Sequence, residues 1–176
     1  MDVFLKPFPG EEAFPVIRIY GRALREENLL VAKFFLESNL SALAIPPPAA
    51  KPERKARLWE ETCLELFLAP CGCPDYYEFN LSPSGCWNIY RFDSYRKGMR
   101  EEKNVPSPFF RMARDAEALR FSFEADIGKI LPSDMKADIG ISAVIRSVEG
   151  SLTHWALAHP ASRPDFHHKD GFLLKI

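Results

Sequence analysis

Acidic and amide side chains recur at alternate positions of two neighbouring segments that are predicted to be strands. Glu65 lies on the opposite face of its segment from Leu64 and Leu66, and Glu78 and Asn80 share one face of the next segment. If the two strands pair through the short turn between them, two carboxylates and an amide lie on the same sheet face. Such a face can hydrogen-bond to hydroxyl groups, or supply a general acid and a general base.

Aromatic and basic residues accompany this polar face along the chain. A flat polar surface with Trp and Tyr beside Glu, Asn and Arg is typical of sugar binding, because the rings cover the C–H face of the sugar while polar groups bond to its hydroxyls. Any single Trp near a strand end is also a common core residue, and a charged sheet face is often simply solvated. The aromatic residues in question are Trp59, Tyr76, Trp87, Tyr90 and Trp155. The predicted ligand-binding set is Trp59, Glu65, Glu78, Asn80, Trp87, Arg91, Arg146, His154 and Trp155.

Histidines and cysteines are the residues that would hold a metal, and their spacing does not favour one. The histidines fall in a proline-rich stretch near the C-terminus, and the cysteines lack the paired C-x-x-C spacing of a zinc site. The sequence also lacks the glycine-rich nucleotide motifs, H-E-x-x-H and G-x-S-x-G. It therefore predicts reduced thiols, no metal and no cofactor. The residues concerned are His154, His159, His167, His168, Cys63, Cys71, Cys73 and Cys86.

Composition restricts the class of protein. With 176 residues, 47% hydrophobic and 27% charged, the chain is expected to form a single domain over residues 1–176. Its 23 Lys and Arg against 24 Asp and Glu give a net charge of -1, so no nucleic-acid partner is expected. The widest uncharged stretches, residues 38–50 and 151–162, contain proline and fall short of the about 20 apolar residues of a membrane helix. With no secretory signal pattern either, we expect a cytoplasmic protein, whose oligomeric state the sequence leaves open.

Alternating hydrophobic patterns separated by turn signals predict the elements that position these residues. No segment is long enough for a helix that crosses over between parallel strands, although residues 95–104 fit a short helix or a loop and residues 127–135 fit one helical turn. The fold class is therefore all-β, an antiparallel β-sandwich. The predicted strands are residues 15–25, 29–37, 58–69, 76–82, 86–92, 109–113, 119–127, 139–148, 152–157 and 172–176.

Three segments in this order resemble the DOMON-like family, which is related to family 9 carbohydrate-binding modules. They are residues 58–68 (LWEETCLELFL), residues 77–85 (YEFNLSPSG), and residues 154–157 (HWAL) followed by 164–167 (PDFH). In that family a Trp precedes a strand with an acidic residue, a Tyr-Glu-Phe strand ends in a Gly turn, and a C-terminal Trp precedes a Pro-Asp-Phe-like loop. The resemblance covers nearly the whole chain and implies an immunoglobulin-like or jelly-roll sandwich.

The resemblance implies two kinds of ligand. The sugar-binding modules clamp a terminal sugar between two tryptophans, for which Trp59 and either Trp155 or Trp87 are the candidates here. Related DOMON domains instead bind haem through Met and His side chains. The residues that would ligate haem are Met112, Met135 and His154.

Four hypotheses follow from the sequence. The first is a non-catalytic binding module that takes a small polyhydroxylated ligand, a sugar, on the polar face. The second is a glycoside hydrolase-like enzyme that uses Glu65 and Glu78, which requires carboxyl groups roughly 5 to 9.5 Å apart. The third is a haem-binding DOMON-type domain, and the fourth is a face that serves protein contacts or no specific ligand.

Overall fold

The computed structural model describes residues 2–11 and 16–176, and it is a sandwich of two antiparallel β-sheets, as predicted. Within these residues the helical segments are three short 3-10 turns, Leu40–Ala42, Leu58–Glu60 and Lys169–Gly171. No helix in this part of the chain is long and apolar enough to cross a membrane. The strands are Val3–Phe4 (β1), Lys6–Pro7 (β2), Arg18–Glu26 (β3), Leu29–Glu37 (β4), Cys63–Pro70 (β5), Tyr76–Leu81 (β6), Trp87–Phe92 (β7), Arg100–Glu101 (β8), Phe109–Arg114 (β9), Ala118–Asp126 (β10), Ala137–Arg146 (β11), Leu152–Ala156 (β12) and Leu174–Lys175 (β13).

The two sheets divide the strands unequally. The first sheet has five strands in the order β1-β3-β4-β10-β9. The second has eight, in the order β2-β12-β11-β5-β6-β7-β8, with β13 also pairing with β11. The meander β5-β6-β7 lies in the second sheet and carries the polar residues predicted from the sequence, so the second sheet positions the candidate site.

Most strand predictions agree with the structure, and four segments differ in detail. The predicted closing strand over residues 172–176 is reduced to β13, because Phe172 caps the 3-10 turn Lys169–Gly171. The first hairpin is β3 and β4, but its first strand begins at Arg18, and Pro15 lies outside the described residues. The predicted strand over residues 58–69 begins only at Cys63, because Arg57 has a left-handed φ of 62° and the next three residues form a 3-10 turn. Residues 95–104 form turns and the short strand β8 rather than a helix. Residues 127–135 contain the expected single turn, in which Leu131 N donates to Ile127 O at 2.8 Å.

The core lies between the sheets, and alternate residues of each strand enter it. In β5 these are Leu64, Leu66 and Leu68, and they meet the corresponding apolar residues of β4 and β10. In β6 and β11 the same alternation buries Phe79 and Ile141. The intervening residues of β5, β6, β7 and β11 therefore point to the outer face of the second sheet.

The outer face of the second sheet is covered rather than solvated. The 3-10 turn at Leu58–Glu60, the loop of residues 93–99 and the C-terminal loop of residues 157–172 lie over it. Gly140 allows the end of the C-terminal loop to approach, since a Cβ there would lie 2.6 Å from the ring of Phe172. Phe172 packs instead with Phe67, Tyr76 and Phe92 in a second, smaller apolar cluster. These segments turn a flat sheet face into a cleft.

Candidate functional site

The floor of the cleft is a row of polar side chains set by strand register. Ser142 of β11 pairs with Glu65 of β5, which pairs with Asn80 of β6, which in turn pairs with Asn88 of β7. Directly opposed residues of an antiparallel sheet point to the same face, so all four side chains lie on the outer face. Glu78 lies two residues before Asn80 on β6, and it therefore shares this face with Glu65.

Both carboxylates of the floor are buried. Glu65 is 3% exposed and Glu78 is 5% exposed, because the covering segments leave only the cleft open to solvent. The Nδ2 of Asn80 donates to Oε1 of Glu78 at 2.7 Å, and the hydroxyl of Ser142 donates to Oε2 of Glu65 at 3.4 Å. Each carboxyl group thus keeps one oxygen without a hydrogen-bond partner among the described residues.

Burial perturbs the ionisation of the two carboxyl groups. Burial raises the pKa of Glu65 well above its ordinary value, the negative charge of Glu78 raises it further, and the Ser142 hydrogen bond opposes the change. Burial also raises the pKa of Glu78 to about 7, against the effects of the Asn80 hydrogen bond and the charge of Arg96. Since two neighbouring buried carboxylates repel each other when both are ionised, the ionisation of one opposes the ionisation of the other.

A histidine completes the polar part of the cleft. The Nδ1 of His167 lies 2.8 Å from the hydroxyl of Tyr76, which accepts the backbone N–H of Arg96 at 3.1 Å. Burial lowers the pKa of His167 to about 4, and the charge of Arg96 contributes, so the imidazole is neutral near pH 7. If the Tyr76 hydroxyl donates its proton to Nδ1, the imidazole hydrogen lies on Nε2. That atom is 3.9 Å from Oε2 of Glu78.

Aromatic side chains line the cleft beside its polar floor. Trp59 lies on the 3-10 turn that precedes β5, where the buried Leu58 anchors the turn and Tyr90 contacts the Trp59 ring edge-on at 5.8 Å. Phe166 of the C-terminal loop lines the cleft as well. The cleft has a volume of about 400 Å³, within the range of small-molecule sites.

An ion pair holds two of the covering loops together. The carboxylate of Asp165 accepts from Nη2 of Arg96 at 2.8 Å, from Nε of Arg96 at 3.2 Å and from the hydroxyl of Tyr95. It also accepts the backbone N–H of His167 at 3.1 Å. Although burial acts against the charge, the hydrogen bonds from Arg96 and Tyr95 lower the pKa of Asp165. Asp165 therefore fixes both Arg96 and His167 at the cleft.

The structure brings four of the predicted residues to this cleft. Trp59, Glu65, Glu78 and His154 line it, while Asn80 lies beneath it and supports Glu78. The backbone N–H of His154 donates to Glu11 at 2.6 Å, and its ring Nδ1 lies 2.7 Å from the same carboxylate. His154 is thus already paired with Glu11 at the edge of the strand that carries it.

The predicted placement of Trp87 and Trp155 beside the polar face is wrong. Trp87 pairs with Leu81 and Trp155 pairs with Ala143, and both partners face the core between the sheets. Strand alternation therefore directs the two indole rings into the core, where they are 5% and 3% exposed. The clamp of two tryptophans is absent from this cleft, and Phe166 lines it with Trp59.

Both predicted arginines also lie away from the cleft. Arg91 alternates with Tyr90 and Phe92, so it points to the other side of β7 and pairs with Asp75 at 3.0 Å. Arg146 is exposed at the end of β11, where it borders a separate hollow beside Pro46. The arginine that lines the cleft is instead Arg96, in the loop after β7.

The residues proposed for haem ligation do not converge. Met112 and Met135 pack against the core between the sheets, whereas His154 lies on the outer face of the second sheet. Within the described part of the chain, no group of three or more His, Cys, Asp or Glu side chains could hold a metal ion. All four cysteines are free thiols.

Sequence reasoning missed three residues of the site, Arg96, Phe166 and His167. All three lie in loops without hydrophobic periodicity, so strand patterning gives no information on them. The sequence does contain a signal for Phe166 and His167. They belong to the Pro-Asp-Phe-His segment at residues 164–167, which resembles a family motif.

Comparison with known proteins bears on the fold. The sequence matches no protein-family model and no curated protein. The structure is similar to a protein from Bacteroides uniformis that is named for carbohydrate binding, with a TM-score of 0.69 and 14% identity, over 98% of this chain and 84% of that chain. It is also similar to a family 9 carbohydrate-binding module from Caldicellulosiruptor kristjanssonii in complex with cellotriose, with a TM-score of 0.52 and 9% identity, over 88% of this chain and 71% of that chain. At these identities, the similarity shows that the chain has the β-sandwich fold of these proteins.

Proposed function

We propose that this protein is a binding module for a small sugar, which it takes into the cleft between Trp59 and Phe166 without hydrolysing it. The observation that carries the proposal is a pair of polar atoms on the cleft surface that have no hydrogen-bond partner within the described part of the chain. Oε2 of Glu78 and Nε2 of His167 are 3.9 Å apart, and neither has a hydrogen-bond partner among the described residues. Both atoms face the open cleft, so a ligand with vicinal hydroxyls can hydrogen-bond to both at once.

The walls suit the apolar side of the same ligand. A sugar ring has a C–H face that is poorly hydrated, and an indole ring such as that of Trp59 can cover it. The polar floor and the aromatic wall therefore recognise the two kinds of surface that a sugar presents. Two proteins with the same fold are named for carbohydrate binding, which supports the proposal, as do the sequence motifs that resemble the DOMON-like family.

Glycoside hydrolysis is less well supported. In glycosidases the two carboxyl groups flank the scissile bond. Glu65 and Glu78 instead lie side by side on one sheet face, so both approach a ligand from the same side. We therefore propose binding without cleavage of a glycosidic bond.

Titration with glucose and cellotriose, followed by intrinsic tryptophan fluorescence, tests the proposal. Shallow sugar sites have weak affinities, and a dissociation constant of about 1 mM corresponds to only about -4 kcal/mol, so the sugar must reach tens of millimolar. We expect a saturable change in wild type, a loss of binding in Trp59→Ala, and unchanged binding in the control Trp155→Phe. An absence of binding by every sugar tested, or undiminished binding by Trp59→Ala, would overturn it.

A further inference from the structure

The cleft floor holds an arrangement that binding alone does not require. Two carboxyl groups lie side by side, each with one oxygen that has no hydrogen-bond partner among the described residues. A sugar hydroxyl needs only one acceptor, and serine or asparagine would provide it at a lower cost of burial. A neighbouring acid and base in a water-poor cleft is, by contrast, what proton transfer requires.

We propose that the cleft interconverts the α and β anomers of a free aldose, with Glu78 as the general base and Glu65 as the general acid. The inference rests on the proposed sugar binding and extends it to a reaction. It concerns a reducing sugar, because only a free anomeric hydroxyl can lose the proton that the reaction needs.

The geometry fits this reaction better than hydrolysis. The anomeric oxygen and the ring oxygen are bonded to the same carbon, so one side of the sugar presents both. Glu65 pairs with Asn80, and Glu78 is two residues from Asn80 on the same face, which makes the two carboxyl groups diagonal neighbours. They can therefore reach two oxygens of one carbon from the floor, and no group on the opposite side is needed.

The reaction neither gains nor loses a proton overall. The carboxylate of Glu78 removes the proton of the anomeric hydroxyl, and the electron pair of that O–H bond forms the C1=O double bond. The bond between C1 and the ring oxygen breaks, its electron pair goes to the ring oxygen, and that oxygen takes the proton of the Glu65 carboxyl. The aldehyde rotates about its C1–C2 bond and closes by the reverse step on its other face. The pair of glutamates holds one proton before and after, so no co-reactant is consumed.

The remaining polar groups assist this step without exchanging a proton. His167 is neutral, and an N–H on Nε2 would hydrogen-bond to a sugar oxygen beside Oε2 of Glu78. The positive charge of Arg96 lowers the pKa of Glu78 and so favours its ionised form, which is the form that accepts the proton. Because the cleft is lined by Trp59 and Phe166, bound sugar excludes much of the water that would otherwise compete.

The test is polarimetry of freshly dissolved α-D-glucose with catalytic amounts of protein, beside fluorescence titration of the same samples. We expect wild type to accelerate anomer equilibration above the rate in buffer. Glu78→Gln and Glu65→Gln should each reduce that acceleration by about a hundredfold or more while still binding glucose. The control Glu124→Gln, on the outer face of the first sheet, should retain it. Thermal unfolding of each variant shows whether it is folded.

The pH dependence provides a second readout on unmutated protein. The acceleration should have a maximum where the pair holds one proton, and should decline when both groups are ionised and when both are protonated. The groups around Glu78 are Glu65, His167, Tyr76, Tyr90, Cys63 and Arg96. Burial lowers the pKa of His167 to about 4 and raises the pKa values of Tyr76, Tyr90 and Cys63, so the profile follows the two glutamates. Glucose binding without acceleration at any pH would overturn this inference and leave the proposed function standing. No binding of any sugar would overturn both.

Discussion

The buried Glu78 makes a quantitative prediction about stability and pH. Its pKa rises from the ordinary value of 4.5 to about 7 on folding, so the folded chain binds this proton more tightly than the unfolded chain. The contribution of Glu78 to the free energy of unfolding therefore falls as the pH rises from 4.5 to 7. At about 1.36 kcal/mol for each pH unit, the loss is about 3 kcal/mol by pH 8.

His167 acts in the opposite direction, and it masks part of this loss in the wild type. Its pKa falls from 6.5 to about 4 on folding, so its contribution to stability is present above pH 6.5 and is lost as the pH falls toward 4. The contributions of Glu78 and His167 offset each other between about pH 4.5 and 6.5. The prediction therefore concerns the difference in stability between wild type and Glu78→Gln. The His167 contribution is present in both proteins and cancels in that difference.

Urea unfolding at pH 5 and pH 8 measures that difference. The glutamine can still accept the hydrogen bond from Asn80, so the fold is expected to persist. Relative to wild type, Glu78→Gln should gain about 2.5 kcal/mol of stability between pH 5 and pH 8, and loss of the like charge beside Glu65 adds to this gain. The control Glu124→Gln should show no such gain. If the free energy of unfolding changed equally with pH in wild type and Glu78→Gln, burial would not raise the pKa of Glu78 and the argument would be refuted.

Three further substitutions test the architecture around the cleft. Gly140→Ala places a Cβ 2.6 Å from the Phe172 ring and should cost about 1 to 3 kcal/mol in thermal unfolding. The control Gly171→Ala meets only ordinary contacts and should cost less; equal losses would contradict the steric argument. Asp165→Asn removes the carboxylate that binds Arg96 and should cost about 1 to 3 kcal/mol in urea unfolding while weakening sugar binding. Unchanged stability and affinity would show that this ion pair does not hold the loops. Leu66→Ala should cost about 2 to 5 kcal/mol, and a smaller loss would mean that β5 does not anchor the core.

Strand patterning predicted the sheet that carries the site, because alternation along β5 and β6 is nearly regular. Leu64 and Leu66 face the core and Glu65 faces away, and register then brings Glu78 and Asn80 to the same face. The placement of Trp87 failed because the same alternation was not extended to β7. Trp87 pairs with Leu81, so it had to share the face of that leucine.

The covering loops could not be predicted from periodicity. Arg96 and His167 are brought together by Asp165, a contact between residues 69 positions apart in sequence, and no local pattern records it. The cleft exists only because these loops cover the sheet. Its floor was therefore predictable from the strands, whereas its walls depend on long-range contacts of irregular backbone.

The central claim is that sugar binds in the cleft beside Trp59, and nuclear magnetic resonance of the three indole N–H groups tests it most directly. The Nε1 of Trp155 already donates to Thr153 at 2.9 Å within the protein, and Trp87 is buried in the core. On addition of cellotriose, the account predicts a saturable shift of the Trp59 signal and little change in the other two. A shift of the Trp87 or Trp155 signal with Trp59 unmoved, or no shift at all at tens of millimolar sugar, would contradict it.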